Sequence, residues 1–341
     1  MSEMDADAIL QVEGLKKYFP VYRGLLQRQT GWIKAVDGVS FTLKKGKILG
    51  LVGESGCGKT TTGRMVLRVL DPTAGHVLFR RDNGEVVDMA TLSRRAIKDV
   101  RRETQMIFQD PYSSLNPRMP VLDLIAEPLK AHGWNAADRE TRVAELMERV
   151  GLDPRYIRRY PHAFSGGQRQ RIGIARALAL SPSLIVADEP VSALDVSVQA
   201  QILNLLKELQ QDLDLTLLFV AHDLSVVRYL CDEVAVMYKG RLVEQAETEQ
   251  LFTRPQHPYT AMLLKAAPAP DPHAVWMEED DEVDADESGE QGSVDGCAFA
   301  PRCRYSSEQC WQGQPTLENT RADGMHLSAC YHQSEIELKG V

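Results

Sequence analysis

The segment GESGCGKT at positions 53–60 has the glycine and lysine spacing of a loop that binds the phosphates of a nucleotide. Its glycines let backbone N–H groups close around phosphate oxygens, and a helix that begins at the loop adds its positive dipole end. Lys59 would place its charge on the β- and γ-phosphates, and the Thr60 hydroxyl would bind Mg²⁺. The other residues of the loop that we assign to nucleotide binding are Gly53, Ser55, Gly56, Cys57, Gly58 and Thr61.

Two acidic residues, Asp188 and Glu189, come directly after the apolar run LIVA at 184–187. Ligands of α/β proteins bind at the carboxyl ends of parallel strands, so this pair is placed to meet the nucleotide. Asp188 would hold Mg²⁺, directly or through water, and Glu189 would polarise the attacking water. The two motifs together predict hydrolysis of a nucleoside triphosphate.

Four of the six cysteines lie in the last 45 residues, at Cys297, Cys303, Cys310 and Cys330. A compartment that supplies ATP also keeps thiols reduced, so metal binding is favoured over a disulfide framework. The intervening lengths of five, six and nineteen residues fit neither the close pairs of structural zinc sites nor the short ferredoxin pattern. The spacing alone therefore leaves an iron–sulfur cluster, zinc and buried thiols open.

Three apolar runs, at 47–53, 183–188 and 216–223, predict strands that are buried on both faces. A helix with apolar residues at helical spacing is predicted at Val198–Leu213, with Asp195 as a candidate N-cap. Alternation of strand and helix predicts an α/β fold with a parallel core sheet. Alternating segments near the N-terminus and around Lys239-Gly240 predict antiparallel strands and a hairpin.

The chain divides by composition into three predicted regions. We expect a nucleotide-binding domain at 1–265, which contains a helical insert at about 110–165 where prolines such as Pro120 and Pro128 break the helices. A Pro-rich and then acidic linker follows at 266–295, and a separate small Cys-rich C-terminal module at 296–341. A module of that size with few apolar residues would need a staple such as a metal to fold.

The formal net charge of -9 is concentrated in one stretch, because residues 278–290 hold nine acids and no base. The remainder is neutral, so we expect an acidic disordered linker and no nucleic-acid partner. No apolar run approaches the roughly 18 residues of a membrane helix, and the N-terminus has no pattern of a secretory signal. Any work at a membrane is therefore expected from outside the bilayer.

The segment FSGGQRQRIGIARAL at 164–178 follows the phosphate loop by about a hundred residues and resembles the signature of ATP-binding cassette (ABC) ATPases. The resemblance covers residues 9 to about 265 and implies the fold of a P-loop ABC ATPase, with a parallel core sheet, an antiparallel β subdomain and a helical insert. Phe164, where the family often has leucine, is a small departure. SALD at 192–195 matches the D-loop of the family.

The same resemblance assigns roles to residues outside the two phosphate motifs. Tyr18 matches the aromatic residue that stacks on adenine, and His222 matches the histidine that contacts the γ-phosphate. Gln109 matches the glutamine that joins the nucleotide site, including its Mg²⁺, to the transmembrane partner. In this family two ATPase domains pair head to tail, so the signature of one covers the ATP of the other. The signature residues that would face the partner's ATP are Ser165, Gly166, Gly167 and Gln168.

Four stretches carry a finer resemblance, at 18–41, 108–119, 254–268 and 296–303. They resemble the ATPase subunits of oligopeptide/dipeptide ABC importers, in particular the F-type subunit. This implies a D-type ATPase partner, two membrane permeases, an external peptide-binding protein and a place at the cytoplasmic face of a bacterial inner membrane. It also implies a [4Fe–4S] cluster on the four C-terminal cysteines. Another cargo such as nickel, a non-transport role on nucleic acid, and zinc in place of the cluster remain alternatives.

Overall fold

The computed structural model describes residues 4–24, 28–110, 112–266, 296–319 and 325–340. Apart from its first residue, the predicted linker at 266–295 lies outside the described residues. Twelve strands in the described part of the chain form two sheets. They are β1 (Ala8–Arg23), β2 (Arg28–Lys44), β3 (Ile48–Val52), β4 (Ala74–Arg80), β5 (Val86–Asp88), β6 (Thr104–Ile107), β7 (Leu184–Asp188), β8 (Thr216–Val220), β9 (Glu233–Tyr238), β10 (Arg241–Glu247), β11 (Glu318–Asn319) and β12 (Leu327–Ser328).

The larger sheet has the strand order β11-β12-β10-β9-β3-β8-β7-β6, and the five strands from β9 to β6 are parallel. Strands β3, β7 and β8 are buried at every position, which confirms the prediction from their unbroken apolar runs. Successive side chains of β3 enter different cores, with Leu49 and Leu51 on one side and Ile48 and Val52 on the other. A strand of this kind needs apolar residues throughout because both faces are covered.

The smaller sheet is antiparallel, in the order β2-β1-β4-β5, and covers one face of the larger sheet. The antiparallel pairing of β1 with β2 and the hairpin of β9 and β10 confirm the predictions from alternating sequence. The hairpin turns at Lys239 and Gly240, and both residues have positive φ angles. This hairpin belongs to the larger sheet, because β9 also pairs in parallel with β3.

Ten α-helices lie in the described residues. Asp195 caps the sixth by accepting a hydrogen bond from the Val198 backbone N–H, as predicted, although this helix begins two residues earlier than expected. The helices are α1 (Lys59–Val66), α2 (Arg94–Val100), α3 (Val121–Ala131), α4 (Ala136–Arg149), α5 (Gly166–Ala177), α6 (Val196–Leu213), α7 (Leu224–Leu230), α8 (Thr248–Thr253), α9 (Pro258–Ala266) and α10 (Glu308–Gln312).

The prediction that Pro128 breaks a helix is wrong. Pro120 does precede α3 as its N-cap, but Pro128 lies inside that helix, which continues to Ala131. A proline in a helix removes one backbone hydrogen bond and costs about 3 kcal/mol. Burial of Leu124, Ile125 and Leu129 on both sides of the proline offsets that cost.

The C-terminal segment is not a separate module in the described structure. Strand β12 pairs with β10 at Glu244 and Gln245, so the segment extends the larger sheet. Phe299 packs into the main core against Tyr238 and Tyr259, with ring centroids 5.3 and 5.4 Å away. So short a segment cannot enclose a core of its own, and it completes the main core instead.

A buried hydrogen-bond cluster also fixes the C-terminal segment. The Glu244 carboxylate is fully buried and accepts hydrogen bonds from the backbone N–H groups of Gln256 and His257. Its third partner is the His326 ring, at 2.7 Å. A buried carboxylate needs such partners, so docking of His326 contributes to the stability of the fold. None of the helices in the described ranges is both long and apolar enough to span a membrane.

Candidate functional site

The phosphate loop at 53–60 joins β3 to α1, and three of its glycines adopt backbone angles that other residues rarely reach. Gly53, Gly56 and Gly58 have φ angles of 149°, 79° and 109°. A Cβ atom at Gly58 would lie 2.3 Å from the carbonyl oxygen of Ala35, and one at Gly53 would lie 2.2 Å from that of Met237. Glycine is required at both positions by conformation and by space.

Replacing Gly58 with alanine is expected to destabilise the protein by about 3 kcal/mol, because backbone strain and the clash with Ala35 add together. Gly56→Ala is the matched control, since φ is also positive there but no atom lies within 4 Å of the new Cβ. It should cost only about 1 kcal/mol. Urea unfolding of both variants measures the difference, and equal losses would contradict the role of the close contact.

Lys59 is held inside the loop by the loop's own carbonyl groups. Its ammonium donates hydrogen bonds to the oxygens of Gly53, at 2.7 Å, and Glu54, at 2.9 Å, and its side chain is almost fully buried. Burial raises the pKa of the neighbouring Cys57 thiol, which keeps that thiol neutral. The loop therefore presents one fixed positive charge at the start of α1.

Thr60 and Asp188 form a pair of oxygen ligands beside Lys59. The Thr60 hydroxyl donates to an Asp188 carboxylate oxygen at 2.8 Å. Asp188 is 1% exposed, and burial raises the pKa of its carboxyl group. Hydroxyl and carboxylate oxygens suit Mg²⁺, a hard cation, so these two residues fit the ion that the phosphate motif implies.

Glu189 is the point at which three predicted catalytic residues meet. One of its carboxylate oxygens accepts from the Gln109 amide at 2.9 Å and lies 3.1 Å from Nδ1 of His222. The three residues follow β7, β6 and β8, which are neighbours in the sheet. Their meeting agrees with the rule that ligands bind at the carboxyl ends of parallel strands.

The backbone of Glu189 is strained, with a φ of 45°. Its N–H nevertheless donates to the Val220 carbonyl at 2.9 Å, and its carbonyl accepts from the Ser192 hydroxyl at 3.1 Å. Left-handed geometry at a residue with a side chain costs about 1–3 kcal/mol and is concentrated at functional sites. The fold thus fixes the backbone that carries this carboxylate.

Tyr18 is tied to the flank of the phosphate loop through Asp37. Its hydroxyl donates to the Asp37 carboxylate, which also pairs with Arg241. Burial, together with the bond to Asp37, raises the pKa of Tyr18 to about 12. The Asp37 backbone N–H donates to the Gly240 carbonyl, and the Gly240 N–H donates to the Cys57 carbonyl. These contacts link Tyr18 to the phosphate loop through Asp37 and Gly240.

The signature residues lie at the start of α5. Ser165 and Gln168 form a capping box, in which each side chain bonds to the other's backbone N–H. Gly166 and Gly167 pack against Leu194 and Val198, and a Cβ at Gly167 would lie 2.4 Å from Val198. The structure thus places the signature beside the 192–195 segment, whose Ser192 bonds to Glu189.

The four C-terminal cysteines line one small cavity of about 10 Å³, together with His257 and Phe299. The Cys297 backbone N–H donates to the Cys310 carbonyl at 2.7 Å. Burial raises the pKa of the Cys297 and Cys303 thiols and raises the pKa of Cys330 to about 12. Within the described ranges, no group of three or more His, Cys, Asp or Glu side chains has a geometry that could hold a metal ion.

The sequence analysis did not identify three residues at the phosphate loop. Glu54 belongs to the loop, and Tyr259 and Arg302 contact it. The Glu54 backbone N–H donates to the Tyr259 hydroxyl at 3.0 Å, and the Glu54 carboxylate pairs with Arg302. These contacts join residues more than 200 positions apart, and no local pattern predicts them. The only feature of the sequence that could have indicated these contacts is Glu54 itself, an acidic residue inside a loop that binds anions.

Comparison with known proteins identifies two family regions in the chain. The model described as "ABC transporter" matches residues 36–192. The model described as "Oligopeptide/dipeptide transporter, C-terminal region" matches residues 243–310. The first region contains the phosphate loop, the signature and the acidic pair. The second region contains Tyr259 and three of the four C-terminal cysteines.

Similar proteins cover nearly the whole chain. The oligopeptide transport ATP-binding protein AppF of Bacillus subtilis is 47% identical over 97% of this chain and 99% of its own length. The dipeptide transport ATP-binding protein DppF of Haemophilus influenzae is 47% identical over 95% of this chain and 96% of its own length.

Solved structures of two cassettes agree with the architecture. A dimeric ATP-binding cassette, MJ0796, bound to ADP and phosphate after hydrolysis, has a TM-score of 0.60 and 28% identity, and the match covers 70% of this chain and 98% of that one. The protein cbiO1 of Clostridium perfringens, part of an ABC transporter complex, has a TM-score of 0.60 and 29% identity over 72% of this chain and 91% of that one. These matches confirm the expected P-loop α/β fold, and with the full-length relatives they show that the chain belongs to the ATP-binding proteins of the oligopeptide/dipeptide ABC transporter family.

Proposed function

We propose that this chain binds and hydrolyses ATP to power the import of di- and oligopeptides through an ABC transporter. The observation that carries the proposal is the Glu189 carboxylate, held by Gln109 and His222 at the ends of three adjacent strands. The peptide cargo rests on the names of the relatives, which are transport proteins for oligopeptides and dipeptides.

In this proposal the residues of the phosphate loop, led by Lys59, bind the β- and γ-phosphates, and Tyr18 stacks on adenine. Thr60 and Asp188 hold Mg²⁺, which when bound supplies positive charge to the phosphate oxygens. Gln109 is a third candidate for that coordination. Glu189 orients and polarises the attacking water, and His222 contacts the γ-phosphate while its ring bonds to Glu189. A fixed Glu189 loses little orientational freedom at the moment of attack.

A second ATPase subunit completes the site. The amino end of α5, at Ser165–Gln168, would face the γ-phosphate bound by the partner. Support comes from the exposed capping box at this helix end and from the dimeric state named for a solved cassette of the same fold. We propose a D-type ATPase as that partner, in a heterodimer.

Two membrane permeases and, indirectly, an external peptide-binding protein complete the transporter, and the chain would work at the cytoplasmic face of the membrane. The surface near Gln109 is our candidate docking site for the permeases. Phe108 and Tyr112 are exposed there, at 39% and 57%, and aromatic side chains are enriched at protein–protein interfaces.

We also propose a [4Fe–4S] cluster on Cys297, Cys303, Cys310 and Cys330, with zinc as the alternative. Four thiols that line one cavity provide the ligand set, and Pro315 and Tyr331 shield it. The cavity is about 10 Å³, which is room for roughly one water molecule. The four thiol side chains would therefore have to move apart to make space for the cluster. When bound, the cluster would cross-link this segment.

Transport tests the proposed function directly. The chain is reconstituted in lipid vesicles with co-purified ATPase, permease and binding-protein subunits, and uptake of a labelled tripeptide is followed with ATP on the cytoplasmic side. We expect ATP-dependent accumulation, and none when the chain carries Glu189→Gln. Accumulation of nickel but not of peptide would change the assigned cargo to nickel. ATP hydrolysis stimulated only by DNA would overturn the transport role.

A further inference from the structure

An ion pair joins the C-terminal segment to the phosphate loop. Both terminal nitrogens of Arg302 donate to the Glu54 carboxylate, each at 3.1 Å. Glu54 is the second residue of the loop, and the two partners are 248 positions apart in the chain. Two parallel N–H···O bonds fix the relative orientation of the two groups as well as their distance.

The arginine side of this ion pair is held in place by its surroundings. The Arg302 guanidinium lies 5.8 Å from the ring centroids of both Tyr238 and Phe299, and 3.6 Å from the Met262 sulfur. Phe299 and Tyr238 are almost fully buried. Contact of a guanidinium with aromatic rings is favourable, so Arg302 loses little further freedom when it pairs.

The loop side is held at a second point. The Glu54 backbone N–H donates to the hydroxyl of Tyr259 in α9, a fully buried residue. The Glu54 carbonyl accepts from Lys59, the residue that carries the loop's positive charge. A displacement of Glu54 would therefore change the position of the Lys59 ammonium.

The charge of Glu54 is also a problem for the loop. A carboxylate close to the place where phosphates bind repels them. Pairing with Arg302 cancels most of that charge. An arginine from outside the cassette core thus removes a penalty that the loop's own sequence creates.

We propose that Arg302 is a positioning residue for ATP, which orients the phosphate loop through Glu54 and neutralises its charge. The inference rests on the assignment of ATP to the loop at 53–60. Arg302 lies outside the region matched by the general ABC transporter model, 36–192, and inside the oligopeptide/dipeptide region, 243–310. The C-terminal segment is then a part of the nucleotide site that this family adds to the cassette.

Nucleotide kinetics of full-length variants, each assembled with the ATPase partner, test the inference. Arg302→Ala should raise the KM for ATP about five-fold and change kcat less than about two-fold, the size expected for a half-exposed bidentate pair. Arg302→Lys should lie between, because a lysine keeps the charge but not the fork. Arg304→Ala is the matched control: this arginine lies two residues further along and donates to the Tyr305 hydroxyl, and its removal should leave the KM unchanged.

A double variant separates this role from a purely structural one. If Arg302 acts by neutralising Glu54, then Glu54→Gln combined with Arg302→Ala should return the KM to within about two-fold of the natural chain. A KM that stays raised in the double variant overturns the neutralising role, and an Arg302→Ala variant with an unchanged KM overturns the inference as a whole. Lys59→Ala distinguishes failure of the underlying assignment, because intact ATP binding in that variant would remove ATP from this loop altogether.

Discussion

Replacing Glu189 with glutamine is expected to lower the rate of ATP hydrolysis by about 10²- to 10⁴-fold, the usual contribution of a positioned general base. Glutamine has nearly the same shape, so the contacts to Gln109 and His222 can persist while the ability to accept a proton is lost. Phosphate release by the assembled ATPase pair at saturating ATP and Mg²⁺ measures the effect. Undiminished turnover would remove Glu189 from the catalytic role.

ATP binding should survive the same substitution, because Lys59 and the loop glycines are untouched. Since hydrolysis is what releases the closed pair in this proposal, the variant should remain as an ATP-dependent dimer with its ATPase partner. Size-exclusion chromatography with and without ATP detects this state. Glu208→Gln, an exposed carboxylate on α6, is the matched control and should leave both turnover and the dimer lifetime unchanged.

The part of the site that could be predicted from sequence consists of residues in contiguous motifs on buried strands. The run LIVAD predicts β7, and the position of Asp188 and Glu189 at its end follows from the geometry of parallel sheets. Glycine spacing likewise predicts the phosphate loop. The meeting of Gln109, Glu189 and His222 could be expected only from the family resemblance, because strand order in the sheet is not visible in any one segment.

The contacts of the C-terminal segment were beyond prediction for a different physical reason. Strands β11 and β12 have two residues each, which is too short for any periodic pattern. Pairing of β12 with β10, the burial of His326 on Glu244 and the Arg302–Glu54 pair all depend on tertiary structure. Composition suggested an independent module, whereas the aromatic contacts of Phe299 make the segment part of the ATPase core.

Chain purified without oxygen is expected to contain about four iron and four acid-labile sulfide per chain, as a [4Fe–4S] cluster requires. Cys303→Ser should reduce both to a small fraction of that, because one thiolate ligand is lost from the cavity that the four cysteines share. Cys231→Ala is the matched control, a buried cysteine of the main core that does not line that cavity, and this variant should keep its iron. Metal analysis and the visible spectrum measure both.

The outcome also decides what the cluster does, because the same segment carries Arg302. About one zinc per chain would keep a structural metal but exclude electron transfer, and absence of metal in freshly prepared protein would contradict the cluster. If Cys303→Ser loses iron and also raises the KM for ATP, the metal holds Arg302 in position against Glu54. If iron is lost while the KM is unchanged, the sheet pairing of β12 and the packing of Phe299 hold Arg302 without it, and the cluster has a separate role.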